Sequence, residues 1–237
     1  MSKITSRTFK AASVAVLFAG AFALQRAAHS SEEAVRIPPP AHDETAGAVH
    51  TETAVFAGGC FWGVQGVFQH VRGVKEVMSG YAGGAANTAQ YDRVSEGDTG
   101  HAESVRITYD PAQVTYGKLL QVFFSVAHDP TQLNYQGPDH GTQYRSAVFP
   151  TNAAQRDIAG AYIAQLDKAH LYRGKIVTKV EDYKGFYPAE SYHQNYLTEH
   201  PESPYIAIND LPKVANLKRA FPDAYRQDAV LVAVASR

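Results

Sequence analysis

The sequence predicts an α/β (α+β) fold in which a mixed β-sheet is flanked by helices in a single, two-layer, sandwich-type domain. Short apolar runs that suit buried strands alternate with stretches whose apolar residues recur at helical spacing. The chain has 237 residues, 45% of them hydrophobic, which is enough for one substantial core. Because no internal repeat is present, we expect one domain, spanning residues 51–237 with its C-terminal tail.

Two segments are predicted before this domain. Residues 1–28 have the plan of a secretory signal peptide, since basic residues precede a charge-free apolar run at 11–24 and small residues follow it. Residues 29–50 include three consecutive prolines and lack apolar periodicity, which predicts a flexible linker. We therefore expect an exported, periplasmic protein, with an uncleaved signal anchor as the alternative.

The first half of the domain is predicted to contain three strands and two helices. The run 53–58 is short and apolar and leads into two glycines, which indicates a buried strand and a tight turn. A helix follows as far as Arg72 and Gly73, because apolar residues recur there at helical spacing. The other elements of this half are two strands and a helix, at 74–81, 103–109 and 115–127.

The second half is predicted to continue this alternation. Residues 143–149 read as a strand, and Thr151 is the predicted cap of the helix that follows. Pro188 suits the first turn of a short helix that reaches Leu197. The remaining elements are a strand at 176–180 and a last helix at 213–221.

The only cysteine, Cys60, is the most informative residue of the sequence. A single thiol forms no internal disulfide, so in an exported protein it is either an inert apolar residue or a reactive group. Cys60 begins the first helix, where the positive end of the helix dipole predicts a lowered thiol pKa. The adjacent Phe61 and Trp62 predict an apolar pocket wall. The alternative is that all three side chains only fill the core.

Two further polar runs contain candidate site residues. Glu103 begins a predicted strand, and burial there would raise the pKa of its carboxyl and keep it protonated as a donor. The alternative is a solvated glutamate at the edge of a sheet. The run 139–146 is dense in polar and aromatic residues, as loops that hold sites often are. Its Tyr144, and Tyr91 earlier in the chain, could each direct a hydroxyl group at a substrate oxygen.

Taken together, these runs resemble the A-type peptide methionine sulfoxide reductases over about residues 53–197. The matching runs are 59–63, 80–84, 100–103, 109–111, 128–130, 139–146 and 186–190. One departure is Gln65, where relatives commonly have glutamate, and we expect this difference to affect the charge of the helix. A second departure is the tail, which lacks the resolving cysteine that many relatives have.

The resemblance implies a reaction and the roles of particular residues. The enzyme would reduce methionine S-sulfoxide, free or in proteins, through a sulfenic acid on Cys60, and so repair oxidised exported proteins. The implied catalytic residues are the nucleophile Cys60, the acid Glu103 and the hydroxyl donors Tyr91 and Tyr144. The implied substrate-binding residues are Phe61 and Trp62, which would enclose the terminal methyl group, and the loop residues Asp139 and His140.

The expected partners follow from the same resemblance and from composition. Without a second cysteine, an external thiol reductant must regenerate Cys60, either a thioredoxin-like protein or a small thiol, and no bound cofactor is expected. Basic and acidic residues number 22 and 23 and form no basic stripe, so nucleic acid is not an expected partner. The ten histidines show no close pair at ligand spacing, so no metal site is expected. We expect a monomer.

Two other functions are compatible with the sequence. In a cysteine hydrolase or acyltransferase, His101 or His140 would activate Cys60, and Asp139 would orient the histidine. In an exported module that only binds oxidised methionine, Cys60 would pack against Trp62 without reacting. Formation of a sulfenic acid separates the first function from reductase chemistry, and catalytic turnover separates the second.

Overall fold

The computed structural model describes residues 34–45 and 51–233. The strands in these residues are β1 (Glu52–Gly58), β2 (Val74–Ala82), β3 (Ala102–Tyr109), β4 (Tyr135–Gln136), β5 (Asp139–His140), β6 (Ser146–Val148), β7 (Lys179–Val180) and β8 (Phe186–Pro188). The α-helices are α1 (Phe61–Gln69), α2 (Tyr91–Ser95), α3 (Tyr116–Val122), α4 (Ala153–Ala169), α5 (Tyr196–Glu199) and α6 (Leu211–Ala220). Two π-helical turns, Phe123–Ala127 and Ile206–Asp210, adjoin α3 and α6.

Six strands form one mixed sheet, and its order is β7-β6-β1-β3-β2-β8. The β6 and β7 strands pair in parallel, whereas the other neighbours pair antiparallel. The β4 and β5 strands form a separate two-stranded ribbon. A mixed sheet flanked by helices is the fold class that the sequence predicts, and this prediction is confirmed.

The core lies mainly on one face of the sheet because side chains alternate along each strand. Phe56 on β1 and Ile107 on β3 are fully buried there with Phe68 of α1, Leu119 of α3 and Tyr162 of α4. The opposite face carries a smaller buried cluster, formed by Val55, Ala57, Ala82, Ala102, Ala147 and Phe149. The central strands are thus fixed from both sides, and β1 and β3 are the strands that lead to the site.

Four of the predictions for elements and caps are wrong in type or extent. The predicted strand 176–180 is only Lys179–Val180. The predicted strand 143–149 is only Ser146–Val148, because Thr142–Tyr144 forms a 3-10 turn. The predicted helix from Pro188 is wrong, since Pro188 ends β8 and pairs with Gly80 at the edge of the sheet, where proline is tolerated. The predicted cap of α4 is also wrong, because Asn152 accepts the hydrogen bond from Gln155 N at 2.8 Å.

Residues 34–45, which we call the N-terminal strap, contact the domain, unlike the flexible linker expected there. Ile37 is buried in the main core, and Val35 N donates to Ser125 O at 3.0 Å. Asp43 accepts from Thr115 Oγ1 at 2.6 Å and from Gly117 N at 2.8 Å, at the start of α3. The predicted signal peptide at 1–28 lies outside the described residues. Within 34–45 and 51–233, no helix has both the length and the apolar character needed to span a membrane.

Candidate active site

Cys60 lies at the junction of β1 and α1. Gly59 has φ +88°, and a Cβ atom there would lie 2.5 Å from Gln136 Cβ, so both the backbone angle and the space require glycine. The turn places Cys60 at the N-cap of α1, where its side chain is 9% exposed. The predicted position at a helix N-terminus is confirmed, and the thiol is nearly enclosed.

Glu103 faces the same helix start from the neighbouring strand. It lies near the beginning of β3, which pairs with β1, and its side chain is 4% exposed. Glu103 Oε2 accepts a hydrogen bond from Phe61 N at 3.0 Å. The carboxyl group is therefore fixed at the first turn of α1, beside Cys60, and the alternative of a solvated edge glutamate is wrong.

The predicted lowering of the Cys60 pKa is wrong in this site. Burial raises the pKa of the thiol well above its ordinary value, and the carboxylates of Glu103, Asp210 and Asp139 raise it further. The backbone N–H of Trp62 favours the thiolate, but its effect is smaller than that of burial. The helix terminus alone thus does not produce a thiolate, because desolvation and negative charge oppose it.

The protonation state of Glu103 follows from the same physical causes. Burial raises its pKa to about 8, opposed by the hydrogen bond from Phe61 and assisted by the charges of Asp139 and Asp210. At neutral pH the carboxyl group therefore retains its proton. The burial and the raised pKa that the sequence suggests for Glu103 are therefore present, and the proton leaves the group able to donate a hydrogen bond.

Tyr91 begins α2 and Tyr144 ends the 3-10 turn Thr142–Tyr144, and a hydrogen bond joins these two segments beside the site. Gln143 Nε2 donates to Ser95 O at 3.1 Å, which links the turn before β6 to the end of α2. Burial raises the pKa of both phenols, and the charges of Glu103 and Cys60 act on both. The two hydroxyl groups therefore remain protonated, and each can serve as a hydrogen-bond donor.

Phe61 and Trp62 contribute to an aromatic wall beside the thiol. Trp62 stacks on Tyr196 with ring centroids 3.8 Å apart, and Tyr205 lies at its edge at 5.9 Å. Phe61 is buried, with its ring centroid 5.0 Å from that of His193. Such a wall excludes water and can accept a small apolar group.

Asp139 lies on the ribbon that borders the site, whereas His140 points away from it. Tyr205 Oη donates a hydrogen bond to Asp139 Oδ2, and burial raises the pKa of this carboxyl. His140 is exposed and its ring stacks on Tyr135 at 5.4 Å. Asp139 thus joins the electrostatic surroundings of Cys60, while the structure gives His140 no such position.

Neither histidine of the hydrolase alternative is placed as a base for Cys60. His101 Nδ1 accepts from Gly84 N at 3.2 Å, and His101 Nε2 lies 3.0 Å from Ala85 O. Both ring nitrogens are therefore used by the backbone. No group of three His, Cys, Asp or Glu side chains suited to a metal ion occurs in the residues that the structure describes.

Sequence reasoning missed several residues that complete the site. His193 Nδ1 accepts from Trp62 Nε1 at 3.2 Å, and burial lowers the pKa of this imidazole. Glu190 accepts from Tyr91 N at 2.9 Å and from Tyr81 Oη at 2.8 Å, and thereby fixes the start of α2. The matching run 186–190 was the available signal, but it gave no role to Glu190 or to the histidine that follows.

The fold and the site place a buried cysteine beside a protonated carboxyl group and two phenols, an arrangement suited to the chemistry of a thiol enzyme. The model of the peptide methionine sulfoxide reductase family matches residues 52–225. The chain belongs to this family and is an oxidoreductase.

Curated relatives and solved structures support this assignment. The chain is 65% identical over 194 residues to peptide methionine sulfoxide reductase MsrA 2 of Mesorhizobium japonicum, covering 82% of this chain and 99% of that protein. Its identity to MsrA 2 of Synechocystis sp. is 54%, covering 73% and 81%. Mxr1 of Saccharomyces cerevisiae in reduced form superposes with a TM-score of 0.58 at 34% identity, covering 67% of this chain and 91% of that one. Methionine sulfoxide reductase A of Corynebacterium diphtheriae gives 0.55 at 35%, covering 71% and 85%.

Proposed function

We propose that the enzyme reduces methionine S-sulfoxide, free or within proteins, and that Cys60 is the nucleophile. The sulfur of Cys60 attacks the sulfoxide sulfur, and the oxygen is transferred to the enzyme as the S–O bond of the substrate breaks. The products are methionine and a Cys60 sulfenic acid. Thiol and sulfoxide are converted without net uptake or release of protons, and the two electrons come from the cysteine sulfur.

The proton on Glu103 is the single feature that carries this proposal. Sulfoxide oxygen is a poor leaving group, so it must be protonated and hydrogen-bonded while the sulfur is attacked. Glu103, whose pKa is about 8, holds a proton at neutral pH and lies beside the N-terminal turn that presents Cys60. In this mechanism Glu103 donates to the oxygen, Tyr91 and Tyr144 donate hydrogen bonds to it, and the proton released by Cys60 restores the acid.

The aromatic wall accounts for recognition of the substrate. The terminal methyl group of the sulfoxide packs against Phe61 and Trp62, while its oxygen points to the donors. Trp62 is held in this orientation by stacking on Tyr196 and by its hydrogen bond to His193. Asp139, which faces the same site, orients the bordering loop.

The sequence contains one cysteine, so regeneration depends on a thiol from outside. A thioredoxin-like protein or a small thiol attacks the sulfenic acid, releases water and forms a mixed disulfide, which a second thiol resolves. The pattern of residues 1–28 supports export, and we propose that the enzyme repairs oxidised proteins in the periplasm.

Trapping the oxidised cysteine tests this function. We expect one equivalent of N-acetyl-methionine S-sulfoxide to give one Cys60 sulfenic acid, detected by mass spectrometry after dimedone labelling, and the R epimer to give none. The Cys60→Ser variant should form no methionine. Turnover in excess dithiothreitol is expected for the reductase, and binding without turnover would support the binding module. Cleavage of a peptide or ester with no sulfenic acid would support the hydrolase instead.

A further inference from the structure

A buried ion pair, which the proposed reaction does not use, lies beside the site helix. Asp210 ends the π-helical turn Ile206–Asp210 and is fully buried, and Lys213 follows in the first turn of α6. Lys213 Nζ lies 3.5 Å from Asp210 Oδ1. Removing two charges from water costs several kcal/mol per ion, and a buried pair is therefore weak evidence for stability. A role in the site would explain why these charges are buried here.

Gly63 brings the Asp210 carboxyl to the first turn of α1. A Cβ atom at Gly63 would lie 2.1 Å from Asp210 Oδ1 and 2.7 Å from its Cγ, which is closer than any side chain allows. The carboxyl group thus occupies the space that this glycine leaves. Gly63 follows Cys60 by three residues, so both lie on the same side of the helix. The last glycine of the 59–63 run is therefore explained by Asp210.

The charges around Cys60 and Glu103 are predominantly negative. Asp210 and Asp139 are the carboxyl groups that act on both, and each raises the pKa of Glu103. Tyr205 donates to Asp139, and the charge of Lys213 acts on Asp139 as well as pairing with Asp210. Among the residues that the structure describes, the phenols of Tyr81, Tyr91 and Tyr144 also face Glu103, and the phenol of Tyr205 faces Cys60.

We propose that Asp210 is a positioning residue for sulfoxide reduction. Its buried carboxylate pairs with Lys213, occupies the space left by the missing side chain of Gly63, and keeps Glu103 protonated. This inference rests on the proposed function, because Glu103 must deliver that proton. Without the negative charge of Asp210, Glu103 ionises at a lower pH, and the range in which it acts as an acid becomes narrower on the alkaline side.

The pH dependence of the single-turnover rate tests this role. We expect the Asp210→Asn variant to move the alkaline midpoint of sulfenic acid formation down by about one pH unit, the effect of one nearby charge. The matched control Asp157→Asn, which removes an exposed charge from α4, should leave the midpoint unchanged. A merely structural role would lower the rate at all pH values without moving the midpoint.

A double variant covers the case in which removing one charge of the pair prevents folding. Asp210→Asn with Lys213→Gln removes both charges, and its midpoint should also fall, by a smaller shift. If folded variants, verified by thermal unfolding, keep the wild-type midpoint, the inference is overturned while the proposed function stands. A wild-type enzyme that forms no sulfenic acid would overturn the proposed function and this inference with it.

Discussion

Two residues, Cys60 and Glu103, share the chemistry of the proposed reaction, and each has a pKa that differs from that of an exposed side chain. Both are buried beside the first turn of α1, and burial raises the pKa of each. A protonated thiol is a weak nucleophile but also resists oxidation and exchange. In the proposed reaction, the oxygen of the bound sulfoxide accepts a proton in the same site. The sulfur of Cys60 would therefore react only when the substrate is present.

The protonated state of Glu103 predicts a pH dependence of stability. Its pKa is about 8 in the fold against an ordinary value of 4.5, so the stability that this group contributes is full below pH 4.5 and is lost as pH rises through 8. Between pH 4.5 and 8, this group lowers the free energy of unfolding by at most about 1.4 kcal/mol per pH unit. We expect Glu103→Gln to remove this slope, as measured by urea unfolding at several pH values.

The same variant separates stability from catalysis. Glutamine retains an acceptor for the Phe61 N–H but delivers no proton, so sulfenic acid formation should fall by roughly 100-fold or more. The control Glu199→Gln, an exposed substitution on α5, should change neither property. An unchanged single-turnover rate in Glu103→Gln across neutral and alkaline pH would contradict the role of Glu103 as proton donor.

At the scale of elements, the sequence predicts β1, β2 and β3 well. The apolar run of β1 ends in glycine, and β3 carries Val105, Ile107 and Tyr109 on one face before Asp110 and Pro111 end it. Prediction from the sequence fails where tertiary contacts decide. Pro188 suits a helix start locally, but pairing with Gly80 of β2 makes it the end of a strand. In the same way, local signals identify Cys60 and Glu103, whereas Asp210 enters the site only through its packing against Gly63.

The cap of α4 gives a prediction for an element outside the site. Asn152 Oδ1 accepts from Gln155 N at 2.8 Å, so one N–H of the first turn depends on this side chain. We expect Asn152→Ala to lower the free energy of unfolding by about 1 kcal/mol in urea, and Asn152→Asp to preserve it. Equal stability of the alanine variant and the wild type would show that another acceptor replaces the cap.

Gln65 links α1 to the segment that carries His193. Gln65 Nε2 donates to Val77 O at 2.9 Å and to Gln194 Oε1 at 3.0 Å, and Gln65 Oε1 accepts from Asn195 N at 2.9 Å. The residue is 1% exposed, so its importance lies in hydrogen bonding, not in the helix charge that the sequence suggested. The pocket wall and the site helix are therefore held as one unit.

A glutamate at position 65 tests this link. A carboxylate at position 65 would face two acceptor oxygens, so Gln65→Glu should lose about 1 to 3 kcal/mol of unfolding free energy at neutral pH. The loss should shrink at acid pH, because a buried carboxyl with a raised pKa stabilises the fold only when protonated. Gln65→Met is the control, whose loss should be independent of pH. A Gln65→Glu variant as stable as wild type at neutral pH would show that the network rearranges.

At the scale of the whole molecule, the N-terminal strap is held on the domain through α3 and α4. Tyr162 Oη on α4 donates to Pro38 O at 2.7 Å, and Gln121 Nε2 on α3 donates to Ile37 O at 3.0 Å. Glu44 accepts from Tyr116 N at 2.5 Å and from Tyr109 Oη at 3.3 Å. Most of these contacts lie on α3 and α4, which carry no site residue, and Tyr109 lies at the end of β3 opposite to Glu103, so the strap should support stability without affecting chemistry.

A chain that begins at Thr51 should therefore unfold more easily than one that begins at His29. Burial of Ile37 and the lost hydrogen bonds correspond to about 2 to 4 kcal/mol, measured by urea unfolding, while single-turnover sulfenic acid formation should stay unchanged. Burial raises the pKa of Glu44 from 4.5 to about 7, so its contribution is full below pH 4.5 and lost as pH rises through 7. The difference between the two chains should shrink over that interval. In the control Glu44→Gln this pH dependence should disappear, and equal stability of the long and short chains at acid pH would mean that the strap contributes nothing.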